Sequence, residues 1–177
     1  KRDLDELLET NTTVSFYASD FETENLSFPD TFEEIGDLVD LDKIDFTAFK
    51  SDADQLESGD KKSLKVRSNL LRSNCRVTNQ PDWGDVFIHI KGEDTPSPES
   101  LAKYIVSHRT VSHFHEEICE MIYAHLTKRF DPEELMVACL YTRRGGIDIN
   151  PIRATHNILI PEFFTNPEFT IRKTLRQ

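Results

Sequence analysis

Two alternating apolar runs, one on each side of a long helical stripe, constrain what this chain can fold into more than any other feature. In "DVFIHIKG", Val86, Ile88 and Ile90 alternate with Phe87 and His89 as in a half-buried strand, and in "EELMVACLY" Leu135, Val137, Cys139 and Tyr141 alternate the same way. Between the runs, Leu101, Tyr104, Ile105, Phe114, Ile118, Met121, Ile122, His125 and Leu126 trace one helical stripe, with a break expected between Ser107 and His113. Ser97, with Pro98 behind it at the first helical position, starts that stripe. Strands before and after a helix pair predict an α+β fold, an antiparallel sheet with two helices packed on one face.

The remainder is less periodic. "SLKVRSNLLRS" suits helix or strand on spacing alone, and "TTVSFYASDF" reads as a strand through Val14, Phe16 and Ala18. Residues 20–60 are acidic, hold Pro29 and Gly36, and predict a strand or two, such as "IDFTAF", joined by solvated loops. At the start, Leu4, Leu7 and Leu8 in "KRDLDELLE" keep helical spacing without a capping residue ahead of them, so the chain is expected to begin inside a helix. Gly145 and Gly146 are expected to bend the last strand.

A chain of 177 residues suits one domain with a core of its own. Its net charge of −11 disfavours a direct nucleic-acid partner, since binding to phosphates is driven by Lys and Arg displacing counterions. No apolar run reaches the ~18 residues that would suggest a membrane span. The cysteines Cys75, Cys119 and Cys139 are odd in number and widely spaced, which signals neither a disulfide framework nor a zinc knuckle; a cytoplasmic protein acting on a small molecule or another protein is expected.

Four stretches carry residue types suited to chemistry: "SNCRVTNQPDWG", "SHFHEE", "YTRRGG" and "DINPIR". A cysteine attacks only as thiolate and wants an acid–base partner within reach, and Asp82 follows Cys75 by seven positions. The plainer reading makes Cys75 a small core residue and Asp82 a turn cap. His115 and Glu116 could bind the edge of a guanine-like ring through imidazole and carboxylate, or form an ordinary surface pair beside the apolar stripe. His113, His115 and Cys119 lack a fourth ligand at a supporting spacing, so no metal site is expected. Arg143 and Arg144 with two glycines could meet a phosphate, or simply flank a turn.

Taken together, "SNCRVTNQPDWG", "SHFHEEICE" and "YTRRGGIDINPIR", in this order, resemble the NADPH-dependent 7-cyano-7-deazaguanine reductases of queuosine biosynthesis, nitrile reductases of the tunnelling-fold superfamily. The match runs from about Ser68 to Arg153, and residues 1–60 match only loosely. The resemblance implies a tunnelling fold, NADPH as cofactor, and Cys75 as the nucleophile that converts the substrate nitrile to a covalent thioimide. It implies Asp82 as proton donor from a Pro81-Asp82-Trp83 turn, His115 and Glu116 as holders of the deazaguanine ring, with His115 also assisting proton transfer, and Arg144 and Gly145 as cofactor contacts.

One departure bears on the architecture. Single-module members carry an E-S-[KL]-S-x-K stretch before the His-Glu helix, where this chain reads "SPESLAKY". The two-module subgroup places that stretch in an N-terminal half, so residues 1–177 are expected to be the C-terminal, nucleophile-bearing module, a homodimer or larger assembly completed by an N-terminal module. Alone it is expected to turn over NADPH poorly or not at all. The alternatives are a non-catalytic purine- or pterin-binding or assembly module of the same fold, and a cyclohydrolase-like relative that would need zinc.

Overall fold

The structure, a computed structural model, describes residues 1–14, 31–47 and 50–166. The strand expected through Val14, Phe16 and Ala18 lies outside these residues beyond Val14. The described sheet has five strands in sequence order: β1 (Glu33–Glu34), β2 (Ser63–Asn74), β3 (Pro81–Lys91), β4 (Glu134–Tyr141) and β5 (Ile152–Ala154). The four long-range neighbours β2 to β5 pair antiparallel as expected; β1 pairs parallel with β2, which makes the sheet mixed at that edge.

Helix α1 (Arg2–Leu8) leaves Leu4, Leu7 and Leu8 exposed, and α2 (Ile35–Leu38) is a single turn that buries Ile35. The helix pair divides as the sequence predicts, into α3 (Pro98–Ser107) and α4 (His115–Phe130), with a tight helical turn over His108–Thr110 between them. The Ser97 hydroxyl accepts from Ser100 N–H at 3.2 Å and starts α3. Helix α4 starts at Phe114, whose N–H donates to the Glu117 carboxylate at 2.8 Å. "IDFTAF" forms no strand in its described part: after a helical turn at Leu41–Lys43, Ile44–Thr47 is irregular, and Ala48 and Phe49 lie outside the described residues.

Helices α3 and α4 cover one sheet face, and the main core lies between them. Leu64, Val66 and Leu71 of β2, Val86, Ile88 and Ile90 of β3, and Leu135, Val137 and Tyr141 of β4 point into it. The ambiguity of "SLKVRSNLLRS" has a structural cause. Register slips between Ser68, opposite Val86, and Leu71, opposite Gly84, so one extra residue enters β2. The bulge moves the inward positions from even to odd numbers, which spoils the period-2 signal while keeping Leu71 and Ser73 buried.

The expectation of a half-buried β3 needs correction. Phe87 and His89 face away from the helices but are also buried, because Phe87 sits in a second cluster with Phe32, Met136, Ala138, Leu140 and Phe164. The Phe87 ring meets Phe32 edge-on at 5.5 Å and Phe164 at 5.2 Å. Segments distant in sequence thus cover the face that alternation alone assigns to solvent.

Candidate active site

The β2–β3 hairpin ends in a turn over Cys75–Gln80, tied by Asn79 N–H to Cys75 O and by Cys75 N–H to Gln80 O, both 2.8 Å. Asn79 takes φ +55°, a left-handed conformation that Asn tolerates better than most residues. Asp82 therefore lies on a strand and not on the turn that was expected: Pro81 opens β3, and Asp82 is its second residue, opposite Ser73. Alternation places Asp82 on the helix-facing side, almost completely buried.

Two further contacts bring α4 to this hairpin. Residues 111–113 run beside the end of β2, with Asn74 N–H donating to Val111 O at 2.8 Å and His113 N–H to Asn74 O at 3.0 Å. Arg76, next to the cysteine, pairs with Glu117 at 2.8 Å and stacks over the Phe114 ring. The first turn of α4 is thereby held against the hairpin. His115 projects inward, so the reading of it as lying beside the apolar face does not hold: it is buried and stacked on the Tyr141 ring at 4.0 Å and 8°. Glu116 stays exposed.

Space for that stack comes from Gly84. A Cβ there would lie 3.0 Å from Tyr141 Cδ1 and 3.2 Å from Leu140 O. His115 Nε2 faces Asp82 Oδ2 at 3.3 Å, and its Nδ1 is buried without a hydrogen-bond partner among the described residues.

Arg144 arrives from the loop after β4. Gly145 and Gly146, at φ +56° and +81°, form a two-residue turn closed by reciprocal main-chain bonds between Arg144 and Ile147 at 3.0 and 2.9 Å. The glycines thus make a tight turn beyond β4 instead of bending the strand itself. The Arg144 guanidinium donates through Nε to Asp82 Oδ1 at 2.7 Å, through Nη2 to the same oxygen, and through Nη1 to Gln80 Oε1. Arg143 is occupied elsewhere, in a two-pronged pair with Asp148.

These residues enclose a cavity of about 260 Å³ lined by Cys75, Asp82, His115, Glu116 and Arg144, with Thr78, Phe114 and Ile149 completing its wall. Gly145 sits beside it and does not line it. Thr78, Phe114 and Tyr141 are absent from the sequence-based candidates, although Thr78 and Phe114 fall inside the quoted motifs and Tyr141 ends the β4 alternation. A larger cavity of about 550 Å³ is lined by residues 36–42 alone and holds neither thiol nor imidazole.

Cys75 is half-buried, and its thiol is held below the ordinary range by the Thr78 hydroxyl first, then by the main-chain N–H groups of Thr78 and Val77; burial and the Asp82 charge oppose them. Cys119 and Cys139 are fully buried. The Cys119 thiol donates to the carbonyls of Val137 and Pro151, and burial pushes the Cys139 thiol up. Among the described residues no three His, Cys, Asp or Glu side chains converge as metal ligands. No described helix is long and apolar enough to cross a membrane. The stretch at 97–103 stands apart from the cavity: Ser100 donates to the Glu57 and Ser97 carbonyls, and Glu99 pairs with Lys103.

Fold and site define an α+β module with a thiol, a buried carboxylate, an imidazole and a guanidinium around one small pocket. Residues 81–158 match the family model described as QueF-like protein. Curated relatives named NADPH-dependent 7-cyano-7-deazaguanine reductase agree with it. The protein of Acinetobacter baumannii strain AYE is 49% identical over 106 residues, 60% of this chain and 39% of its own length. That of Psychrobacter arcticus is 42% identical over 117 residues, 66% of this chain and 41% of its own. The chain thus spans about two fifths of the length of these relatives. Among solved structures, the apo form of the archaeosine synthase QueF-Like is similar over 52% of this chain and 89% of that one, with TM-score 0.46 and 18% identity.

Proposed function

We propose that this chain is the nucleophile-bearing, tunnelling-fold module of a cytoplasmic NADPH-dependent reductase that converts the nitrile of 7-cyano-7-deazaguanine to an aminomethyl group. One observation carries the reading: Cys75, Asp82, His115, Glu116 and Arg144, from four separate parts of the chain, line a single cavity. At about 260 Å³ it lies just under the ~300 Å³ lower end of common ligand pockets, a size suited to a small planar base with a dinucleotide kept outside.

In this mechanism the Cys75 sulfur adds to the nitrile carbon while a proton reaches the nitrile nitrogen, giving a thioimide with no atom lost. Asp82 passes that proton, and His115 Nε2, 3.3 Å behind it, resupplies it. Glu116 at the pocket mouth accepts N–H bonds from the ring, and His115 Nδ1, buried and unpaired, is a second polar contact for it. NADPH, when bound, would supply the two hydrides that reduction of the thioimide to the amine and free thiol requires, and the two accompanying protons would pass through Asp82 and His115. The mouth suits such a group: Arg144 offers a guanidinium, and the backbone at Gly145 and Gly146 is open, with nothing within 4 Å of where a Cβ would sit.

An N-terminal module supplies the rest of the cofactor site, and the modules form a homodimer or a larger assembly. Supporting this are the matched share of the relatives, about two fifths, and the structural role of Ser97, Glu99 and Ser100 in capping and bracing α3 away from the pocket. The test is intact-protein mass spectrometry after incubation with 7-cyano-7-deazaguanine, with Cys75→Ala as control. A gain equal to the whole substrate mass, absent in the control, is expected; a folded chain that gains nothing overturns thioimide formation on Cys75 in this module.

A further inference from the structure

A histidine that handles protons is ordinarily oriented from behind, by a carboxylate or carbonyl that accepts from its second ring nitrogen. His115 has no such anchor, because Nδ1 is buried without a hydrogen-bond partner among the described residues. At Nε2 it has only Asp82 Oδ2, at 3.3 Å, longer than a good N–H···O bond, and the other oxygen of that carboxylate is taken by Arg144. Helix α4 fixes the His115 main chain, but the main chain does not decide how the ring is turned.

The Tyr141 ring decides it. The two rings lie 4.0 Å apart and 8° from parallel, so rotation of the imidazole about its bond to Cβ would drive a ring edge into the phenol. The phenol is itself held: it is fully buried and rests against Gly84, its partner in register on β3. The end of β4 is tied on both sides of the sheet edge, by Tyr141 N–H to Asn150 Oδ1 at 3.3 Å and by Thr142 N–H to Trp83 O at 2.8 Å. The stack fixes the plane of the imidazole, and Asp82 selects which edge faces the carboxylate. We propose that Tyr141 is a positioning residue for His115: its ring face, in place of a hydrogen bond, sets the imidazole so that Nε2 stays on Asp82 while Nδ1 is left unbonded. A hydrogen-bonded anchor on Nδ1 would commit the ring to one tautomer, whereas a stacked ring is held and keeps both nitrogens available to protons. This role rests on the reading of Asp82 and His115 as the proton path and names what keeps that path aligned.

Two variants separate the ring face from the hydroxyl. Tyr141→Phe keeps the ring and drops a hydroxyl that makes no hydrogen bond among the described residues, whereas Tyr141→Leu fills the space without a flat face. The first readout needs no nitrile: NMR of the full chain carrying isotope-labelled histidine, with His115→Gln to assign the ring. A protected His115 Nε2–H resonance is expected in the parent and in Tyr141→Phe, and its loss to solvent exchange in Tyr141→Leu. The second is the rate at which Cys75 gains the mass of 7-cyano-7-deazaguanine at saturation. Tyr141→Leu is expected to lower it about tenfold or more and Tyr141→Phe to stay within about twofold; on a His115→Gln background Tyr141→Leu should change it less than about twofold, since it acts through that ring. Cys119 and Cys139, both fully buried, resist iodoacetamide in a folded chain, and Tyr141→Met takes the place of a leucine variant whose buried thiols react. A resonance missing from the parent or persisting without the ring face overturns the role, as does a leucine variant with the parental rate, a phenylalanine variant impaired as far as leucine, or a leucine effect undiminished on the glutamine background. A parent that gains no substrate mass overturns the reductase reading instead, and the resonance then decides this one by itself.

Discussion

Asp82 and Arg144 meet side-on: Nε and Nη2 of the guanidinium both donate to Oδ1 of the carboxylate, leaving Oδ2 to His115 Nε2 at 3.3 Å. The carboxylate is almost wholly buried while the arginine is about one-third exposed, so the arginine can withdraw into solvent and the aspartate cannot. Removing the arginine alone leaves a buried acid with the imidazole as its main partner. Arg144→Met should therefore destabilise the chain, Asp82→Asn should recover part of the loss in the double variant, and the cycle should show a coupling of about 1–3 kcal/mol by urea unfolding. Additive single effects would mean the pair contributes little. In the proposed reaction Asp82→Asn should also slow nitrile adduct formation by about 10²-fold or more, with iodoacetamide alkylation of Cys75 retained.

Gly84 should resist substitution for a reason of packing and not of backbone conformation. The Cβ of Gly84→Ala would press on the Tyr141 ring and on Leu140 O at 3.0–3.3 Å, and backbone cannot yield as a flexible side chain can. A loss of about 1–3 kcal/mol is expected in urea unfolding, accompanied by displacement of Tyr141 from its stack on His115. Crystallography of the variant would show the stack directly; an unmoved His115 ring counts against its dependence on Gly84.

His108 makes stability depend on acid. Burial, the larger cause, brings its pKa down from 6.5 to about 4, with His125 and His113 pushing the same way and the carbonyls of Tyr104 and Ile105 opposing. Because the folded state binds the proton less readily than the unfolded one, this stability is complete above pH 6.5 and is lost as pH falls from there through 4. The loss should approach roughly 3 kcal/mol below pH 4. Urea unfolding between pH 7 and 4.5 should show a shallower pH slope in His108→Leu, whatever its absolute stability; parallel slopes would assign the acid sensitivity to other groups.

Phe87 tests the second layer. It lies on the sheet face away from the helices and packs edge-on against Phe32, Phe163 and Phe164. If that cluster is an integral part of the fold, Phe87→Ala should cost about 3–5 kcal/mol, the range for a large buried aromatic. A cost below about 1 kcal/mol would show that the cover over this face is detached in solution.

Residues whose partners are near in sequence or share one period were legible. The helix pair, its break after Ser107, the Ser97 cap, and strands β3 and β4 follow from spacing and capping, because a backbone period decides which side chains share a face. Strand β2 hid behind its bulge, since one inserted residue reverses the alternation halfway along. The burial of Phe87 and His89 was also hidden, because what covers Phe87 comes from around Phe32 and Phe164 and no local pattern points that far.

The site divides along the same line. By itself the sequence determined which residue types were available, a thiol at 75, an acid at 82, an imidazole and carboxylate at 115 and 116 and a guanidinium at 144, and through its motifs the family they resemble. Tertiary structure alone decided that they share one cavity, that Asp82 stands on a strand, that Arg144 is held by an acid 62 positions away, and that His115 rests on Tyr141 over a glycine. The physical reason is that periodicity is a property of the local backbone, whereas meetings between distant side chains depend on strand register, a bulge and two tight turns, where a shift of one residue would send each group to the opposite face.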